Sequence, residues 1–199
     1  MSHSHLRLRP MTRADVSGGM GLVRAAGWNQ TEADWKRFLD ASPEGCFVAE
    51  SEGQVCGTVT TIVYGNQLAW IGMVLVRPDR RGQGIGTRLL KRALAYLESR
   101  GPSTLKLDAT PQGKPLYQKL GFVPEYEIER WVLNRSLQNG GAARFKGGIP
   151  GVKRGATKHP ADSAAELEEI VDADREVFGA DRGALLRSVD HDAPEFTAT

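Results

Sequence analysis

Met73-Val74-Leu75-Val76-Arg77-Pro78-Asp79-Arg80-Arg81-Gly82-Gln83-Gly84-Ile85-Gly86-Thr87-Arg88-Leu89-Leu90 passes from an apolar strand through a glycine-rich turn into a helix. Ile85, Leu89, Ala93, Leu94 and Leu97 recur at helical spacing, and Gly101 supplies a left-handed stop. Gly84 to Thr87 therefore stand at a helix N-terminus. There the first amide N–H groups lack internal acceptors and the helix dipole adds positive charge, so a phosphate can be held by backbone alone. Glycine at 82, 84 and 86 removes the Cβ atoms that would keep phosphate oxygens away. Arg80, Arg81, Arg88 and Lys91 place cationic charge nearby.

Three phosphate-binding patterns compete for this stretch. A dinucleotide fingerprint, G-x-G-x-x-G, fails because its third glycine falls on Thr87 or Leu89. A P-loop fails because no Lys-Ser or Lys-Thr follows the glycines. The pattern [QR]-x-x-G-x-[GA] is met by Arg81, Gly84 and Gly86. This resembles the acetyl-CoA pyrophosphate loop of the GCN5-related N-acetyltransferase (GNAT) family. A second segment adds to it. Leu105, Leu107 and Ala109 alternate with Lys106 and Asp108 as in a half-buried strand, and Thr110-Pro111-Gln112-Gly113 breaks the pattern before a short helix, Lys114 to Leu120. Leu116-Tyr117-Gln118-Lys119-Leu120-Gly121-Phe122 is similar to the family's LYxKLGF signature. The resemblance covers roughly residues 6–134, in the family's motif order.

The resemblance implies an α/β fold, a mixed, mostly antiparallel and splayed sheet flanked by helices. It also implies that Val74, Leu75, Val76, Arg81, Gly82, Gln83, Gly84, Ile85, Gly86 and Thr87 bind acetyl-CoA as cosubstrate. The strand before the glycine loop is expected to part from its neighbour near Val74 and Val76, freeing N–H groups for the thioester carbonyl and the pantetheine amides. Acyl transfer favours such preorganised donors, because negative charge develops on that oxygen. Tyr117 takes the family's place for the acid that protonates the departing thiolate. A phenol of pKa about 10 can protonate a thiolate whose acid lies near about 8.5.

The attacking amine must be neutral. An amine of pKa about 10.4 is roughly three units uphill at pH 7, whereas an α-amine near about 8 is only one. Some family members carry a Glu base on the strand entering the loop, but Leu68, Ala69, Trp70, Ile71, Gly72 and Met73 supply no carboxylate. Glu50 and Asp108 are the candidates to act through water, and Trp28 is a candidate to line the acceptor pocket. The expected function is transfer of an acetyl group to the primary amine of a small or amino-acid-like molecule. The alternative is an acyl-CoA-binding regulatory module with weak catalysis.

Around this centre the pattern predicts a strand at Leu6–Arg9, helices from Thr12 to about Ala26 and from Glu32 to Leu39, and strands at Cys46–Glu50, Val55–Tyr64, Leu68–Val76 and Glu127–Asn134. Domain organisation is read as an acetyltransferase-like domain over 1–137, a Gly-rich basic linker over 138–162 and a helical tail over 163–199. Ser163 and Glu166 read as a capping box for the first tail helix, and Asp181 as the N-cap of a second over Arg182–Val189. Asp174-Arg175-Glu176-Val177-Phe178-Gly179-Ala180-Asp181-Arg182 is similar to the opening of a second domain in two-domain members of the family. On that resemblance the chain is expected to end before such a domain gains its sheet. Two helices bury too little on each other to stand alone, so they must dock on the first domain, on a partner, or stay partly mobile.

The 199 residues are 40% hydrophobic and 25% charged with net charge +2, which gives no reason to expect nucleic-acid binding. No apolar run approaches bilayer length, and Met1-Ser2-His3-Ser4-His5 lacks a signal-peptide core, so no membrane contact and a cytoplasmic location are expected. Cys46 and Cys56 fall on neighbouring strands, close enough for a disulfide, but read as reduced core residues. His3, His5, His159 and His191 show no metal-ligand spacing, so no metal is expected. A homodimer is compatible with all of this.

Overall fold

The computed structural model describes residues 6–129 and 164–192. Among the described residues five strands form one sheet in sequence order: β1 (Arg7–Pro10), β2 (Phe47–Ser51), β3 (Gln54–Tyr64), β4 (Leu68–Val76) and β5 (Thr104–Leu107). The first three pairings are antiparallel and β4–β5 is parallel. The expected mixed, mostly antiparallel sheet flanked by helices is the observed fold. Tight turns suffice to join β2 to β3 and β3 to β4, whereas a parallel neighbour needs a crossover, and helix α3 (Ile85–Arg100) supplies it.

Each face of the sheet has its own cover. Helix α3 lays Ile85, Leu89, Leu90, Ala93 and Leu97 on Phe47, Ala49, Val59, Ala69 and Ile71. Leu89, Leu90 and Leu97 are fully buried, and truncating any one to Ala removes about 2–5 kcal/mol. Gly101, at φ 73°, ends the helix as expected. The other face carries α1 (Val16–Ala26) and α2 (Glu32–Ala41), whose Val23, Trp35 and Leu39 pack with Val48, Met73 and Leu75. Thr31 and Asp34 cap α2 reciprocally: Asp34 Oδ2 accepts from the Thr31 N–H at 2.7 Å. The first helix begins later than its sequence suggests. A 3-10 turn at Arg13–Asp15 precedes it, because the Asp15 carboxylate turns back to accept from the Thr12 N–H and from Arg9.

Cys46 and Cys56 belong to the clusters on opposite faces of the sheet, so adjacency in the sheet does not bring their sulfurs together. Both are free and buried, and burial raises the Cys46 thiol to about 11. The expected last strand lies mostly outside the described residues, and its first three positions, Glu127–Glu129, have no regular structure. The linker and the Ser163 capping box also fall outside them.

Helices α5 (Ala164–Phe178) and α6 (Gly183–Asp192) pack on the turn end of the β3–β4 hairpin and on α2. Phe178 sits edge-on to Tyr64 with ring centroids 5.8 Å apart, and Arg37 of α2 donates to Asp192 of α6 at 2.7 Å. Among the described residues no helix is long and apolar enough to cross a membrane.

Candidate active site

Strand β4 changes character halfway along. From Leu68 to Ile71 it pairs on one edge with β3 and on the other with β5, whose Thr104–Leu107 match it residue for residue. Beyond Ile71 only the β3 pairing continues among the described residues, so the edge from Gly72 to Val76 is open where the resemblance places the parting. The same point holds a bulge. Thr58 opposes Leu75 and Thr60 opposes Gly72, so β4 carries one residue more than β3 across that interval. Met73 takes a positive φ of 49°, unusual for a residue with a side chain, and Thr58 Oγ1 donates to the Met73 carbonyl at 2.8 Å. The extra residue inverts the alternation: Ala69 and Ile71 face α3, Met73 and Leu75 face α1 and α2, and Val74 and Val76 face α3 again. This bulge is not among the features expected from the sequence, although an isolated glycine within a strand, Gly72, is a signal for it.

The turn after β4 is braced before it opens. The Arg77 N–H donates to the Cys56 carbonyl at 2.9 Å, and Arg81 Nε donates to the Val76 carbonyl at 3.0 Å. Gly82 and Gly84 then take φ of 74° and 76°. Gly84 is the N-cap of α3, and its carbonyl accepts the Arg88 N–H at 3.0 Å. The N–H groups of Ile85, Gly86 and Thr87 precede that first intrahelical bond. A Cβ built on Gly82 or Gly84 would meet no atom within 4 Å, so the loop borders open space at both positions.

Helix α4 (Lys114–Lys119) reaches the same corner. A Cβ at Gly86 would lie 3.5 Å from Leu116 of α4 and 3.6 Å from Val76, so the end of β4, the start of α3 and α4 meet there. Tyr117 is buried on this helix, its ring lying over Gly113 and edge-on to Phe122 at 6.2 Å. Burial alone raises its phenol above the usual value. The proton is therefore retained through neutral and moderately alkaline pH.

The other sequence candidates are placed differently. Glu50, on β2, accepts from Arg9 Nε at 2.9 Å and Nη2 at 2.7 Å, and Arg9 also grips Asp15 with both terminal nitrogens. Asp108 is exposed and follows Leu107, the last β5 residue paired with β4, at the mouth of the parting. Trp28 is half-buried beyond the left-handed Gly27, its N–H donating to the Val23 carbonyl at 3.1 Å, and it packs with the α1–α2 cluster. The structure thus gathers the glycine loop, the open half of β4 and Tyr117 at one corner, with Asp108 at its mouth and Glu50 on a different strand.

The sequence profile of the Acetyltransferase (GNAT) family matches residues 21–122, and the chain belongs to that family. It is 27% identical over 163 residues to the holothin acyltransferase of Pseudoalteromonas sp. (strain SANK 73390), covering 82% of this chain and 50% of that protein. The chain spans about half the length of the curated relatives it matches. Among solved structures, a putative acetyltransferase from Pyrococcus horikoshii superposes with a TM-score of 0.67 at 23% identity, over 97% of this chain and 64% of that one. The aminoglycoside N-acetyltransferase AAC(6')-Iy in complex with CoA superposes with a TM-score of 0.51 at 20% identity, over 67% of this chain and 96% of that one.

Proposed function

We propose that the chain moves an acetyl group from acetyl-CoA directly to the primary amine of a small or amino-acid-like molecule. The observation that carries this reading is the meeting of the glycine loop, the end of β4 whose edge is unpaired among the described residues, and helix α4, which carries Tyr117, around Gly86. Family membership supports it, and a solved neighbour that holds CoA supports the choice of donor.

The residues present fit a coenzyme A. The N–H groups of Ile85, Gly86 and Thr87, with the α3 dipole, hold the diphosphate, and Arg81 adds charge beside it. The open edge from Val74 to Val76 pairs with the pantetheine amides. Acetyl-CoA supplies the activated acyl group as a thioester. An N–H of the open β4 half, set by the bulge at Met73, meets the charge that develops on the carbonyl oxygen. Tyr117 gives its proton to the departing sulfur, and its raised pKa keeps that proton available at the pH where amines become neutral. Glu50 is engaged by Arg9, which leaves Asp108, through water, as the carboxylate for removing the proton from the amine. Two buried free thiols suit a reducing compartment, and we assign the chain to the cytoplasm.

A regulatory binder is the second reading, favoured by the lack of any carboxylate over Leu68–Met73. Thiol release from acetyl-CoA across a panel of amines, with coenzyme A affinity measured by calorimetry, separates the two. Amine-dependent release supports the transferase. Tight binding with no release on any amine supports the binder.

A further inference from the structure

A groove runs along α3 on the flank away from the glycine loop. Gly86 faces Val76 of β4 and Leu116 of α4, whereas Arg92, Ala95, Tyr96 and Ser99 share a face of the same helix turned to the β1–β2 side of the sheet. Phe47 of β2 and the rings of Pro10 and Pro43 make the facing wall, and the cavity volume is about 440 Å³. Small-molecule sites run from about 300 to 1,000 Å³. Tyr96 is held from beneath by a chain of hydroxyls. Thr61 Oγ1 donates to the Gly45 carbonyl at 3.0 Å, so it accepts from Ser42 Oγ at 3.2 Å, and Ser42 in turn accepts from the Tyr96 hydroxyl at 3.2 Å. A side chain at residue 45 would break this arrangement, because a Cβ on Gly45 would collide with Thr61 Oγ1, Ser42 Oγ and the Tyr96 ring. With two prolines in one wall and a fixed tyrosine in the other, the groove needs little ordering to receive a ligand.

The polar groups of the lining are spent with one exception. The Tyr96 hydroxyl gives its proton to Ser42, and Ser99 Oγ donates to the Tyr96 carbonyl at 2.6 Å. Glu44 is paired with Arg100, whose guanidinium lies over the Tyr96 ring at 5.0 Å. Arg92 is exposed, lies over the Phe47 ring at 5.2 Å, and meets no carboxylate among the described residues. Contact with a ring leaves the N–H donors of a guanidinium available. An uncompensated cation beside rigid apolar walls suits an anionic head on an apolar body, and a single cation matches a carboxylate better than a phosphate dianion. Because Arg100 occupies Glu44, an ammonium group finds no partner in the groove. We propose that this groove is a binding site, separate from the one proposed for coenzyme A, for a small monocarboxylate with an apolar body, and that Arg92 holds the carboxylate.

The test titrates 3-phenylpropionate into the full chain by calorimetry, with 3-phenylpropanol and 3-phenylpropylamine as its neutral and cationic counterparts. The acid is expected to bind about tenfold or more tightly than the alcohol, the scale of a charge-assisted hydrogen bond, and the amine more weakly than either. Arg92→Gln should weaken the acid by about tenfold and leave the alcohol unchanged. Ala95 is exposed on α3, so Ala95→Trp should fold and, by filling the groove, abolish binding of the acid. Saturating coenzyme A should leave the affinity for the acid unchanged. No binding of the acid, equal affinity for acid and alcohol, or an affinity that survives Arg92→Gln or Ala95→Trp overturns the proposal. Loss of the acid on adding coenzyme A also overturns it, since the probe would then sit at the glycine loop. The readout is binding alone, so the result stands whatever the transferase assay returns.

Discussion

The β1 edge of the sheet and the parting between β4 and β5 treat their polar groups in opposite ways. At the β1 edge Arg9 binds Asp15 and Glu50 together, and Thr12 closes on Asp15, so the charges answer one another. At the parting, the β4 edge from Gly72 to Val76 is unpaired among the described residues, the N-cap Gly84 of α3 borders open space, and Tyr117 has no charged neighbour that shifts it. Both regions hold residues whose types suit proton transfer. Only the second leaves such groups uncommitted, and the proposed chemistry is placed there on that difference.

The largest effect expected from breaking this contrast lies at Gly86. Its Cβ would make only ordinary contacts, at 3.5 and 3.6 Å, so Gly86→Ala should fold and Gly86→Asp should fold with a carboxylate facing the diphosphate seat. Gly86→Asp is expected to weaken coenzyme A by about 100-fold or more, and Gly86→Ala by much less, because an unpaired like charge costs more than a methyl group. Calorimetry that returns wild-type affinity for a folded Gly86→Asp protein removes the α3 N-terminus as the seat. Next in size is Tyr117→Phe, which keeps the buried ring and deletes the donor. Turnover should fall by about 100-fold with coenzyme A affinity unchanged, the lower end for a placed acid. In the wild type the rate should climb with pH as the acceptor loses its proton, with no decline from Tyr117 below about pH 10, since burial moves its ionisation upward. Equal losses of binding and turnover in Tyr117→Phe would make it a packing residue.

Sequence made one of these regions far more legible than the other. The glycine loop is readable because the role proposed for it is a backbone role: the glycine spacing and the helical period after it imply the geometry. The bounds of β4 and the stop at Gly101 were readable for similar local reasons. What Glu50 does was not, because its partner Arg9 lies 41 residues away and only the register of β1 on β2 brings the two together. The bulge at Met73 was hidden because Leu68–Val76 also fits an unbroken strand, and the slip shows only against β3. Docking of α5 and α6 was one of several open placements, since an amphipathic pair does not specify which surface it covers.

A smaller effect lies between the two regions, at Thr58. Thr58→Val keeps the shape of a fully buried side chain and leaves the Met73 carbonyl without its donor, for a loss of about 1–3 kcal/mol. Unfolding by denaturant measures that loss. If the bulge aims a β4 donor at the acyl oxygen, kcat should fall as well while coenzyme A affinity holds. A lower midpoint with unchanged kcat confines the bulge to architecture.

The smallest expected effect tests the committed edge. Asp15 is buried and held by Arg9, which lowers its carboxyl from 3.8 to about 2. Between those values the unfolded chain binds more protons than the folded one, so stability rises with pH across the interval. The contribution is fully present above about pH 4 and is lost as pH falls through about 2, for a total of about 2 kcal/mol. Unfolding midpoints measured from pH 6 downward should show this slope in the wild type and a flatter one in Asp15→Asn. Glu50→Gln, on the other arm of the same arginine, should leave turnover near the wild-type rate, because Arg9 engages that carboxylate away from the parting. A fall of about tenfold or more in Glu50→Gln, with coenzyme A affinity intact, would bring Glu50 back into the proton path and erase the contrast between the two regions.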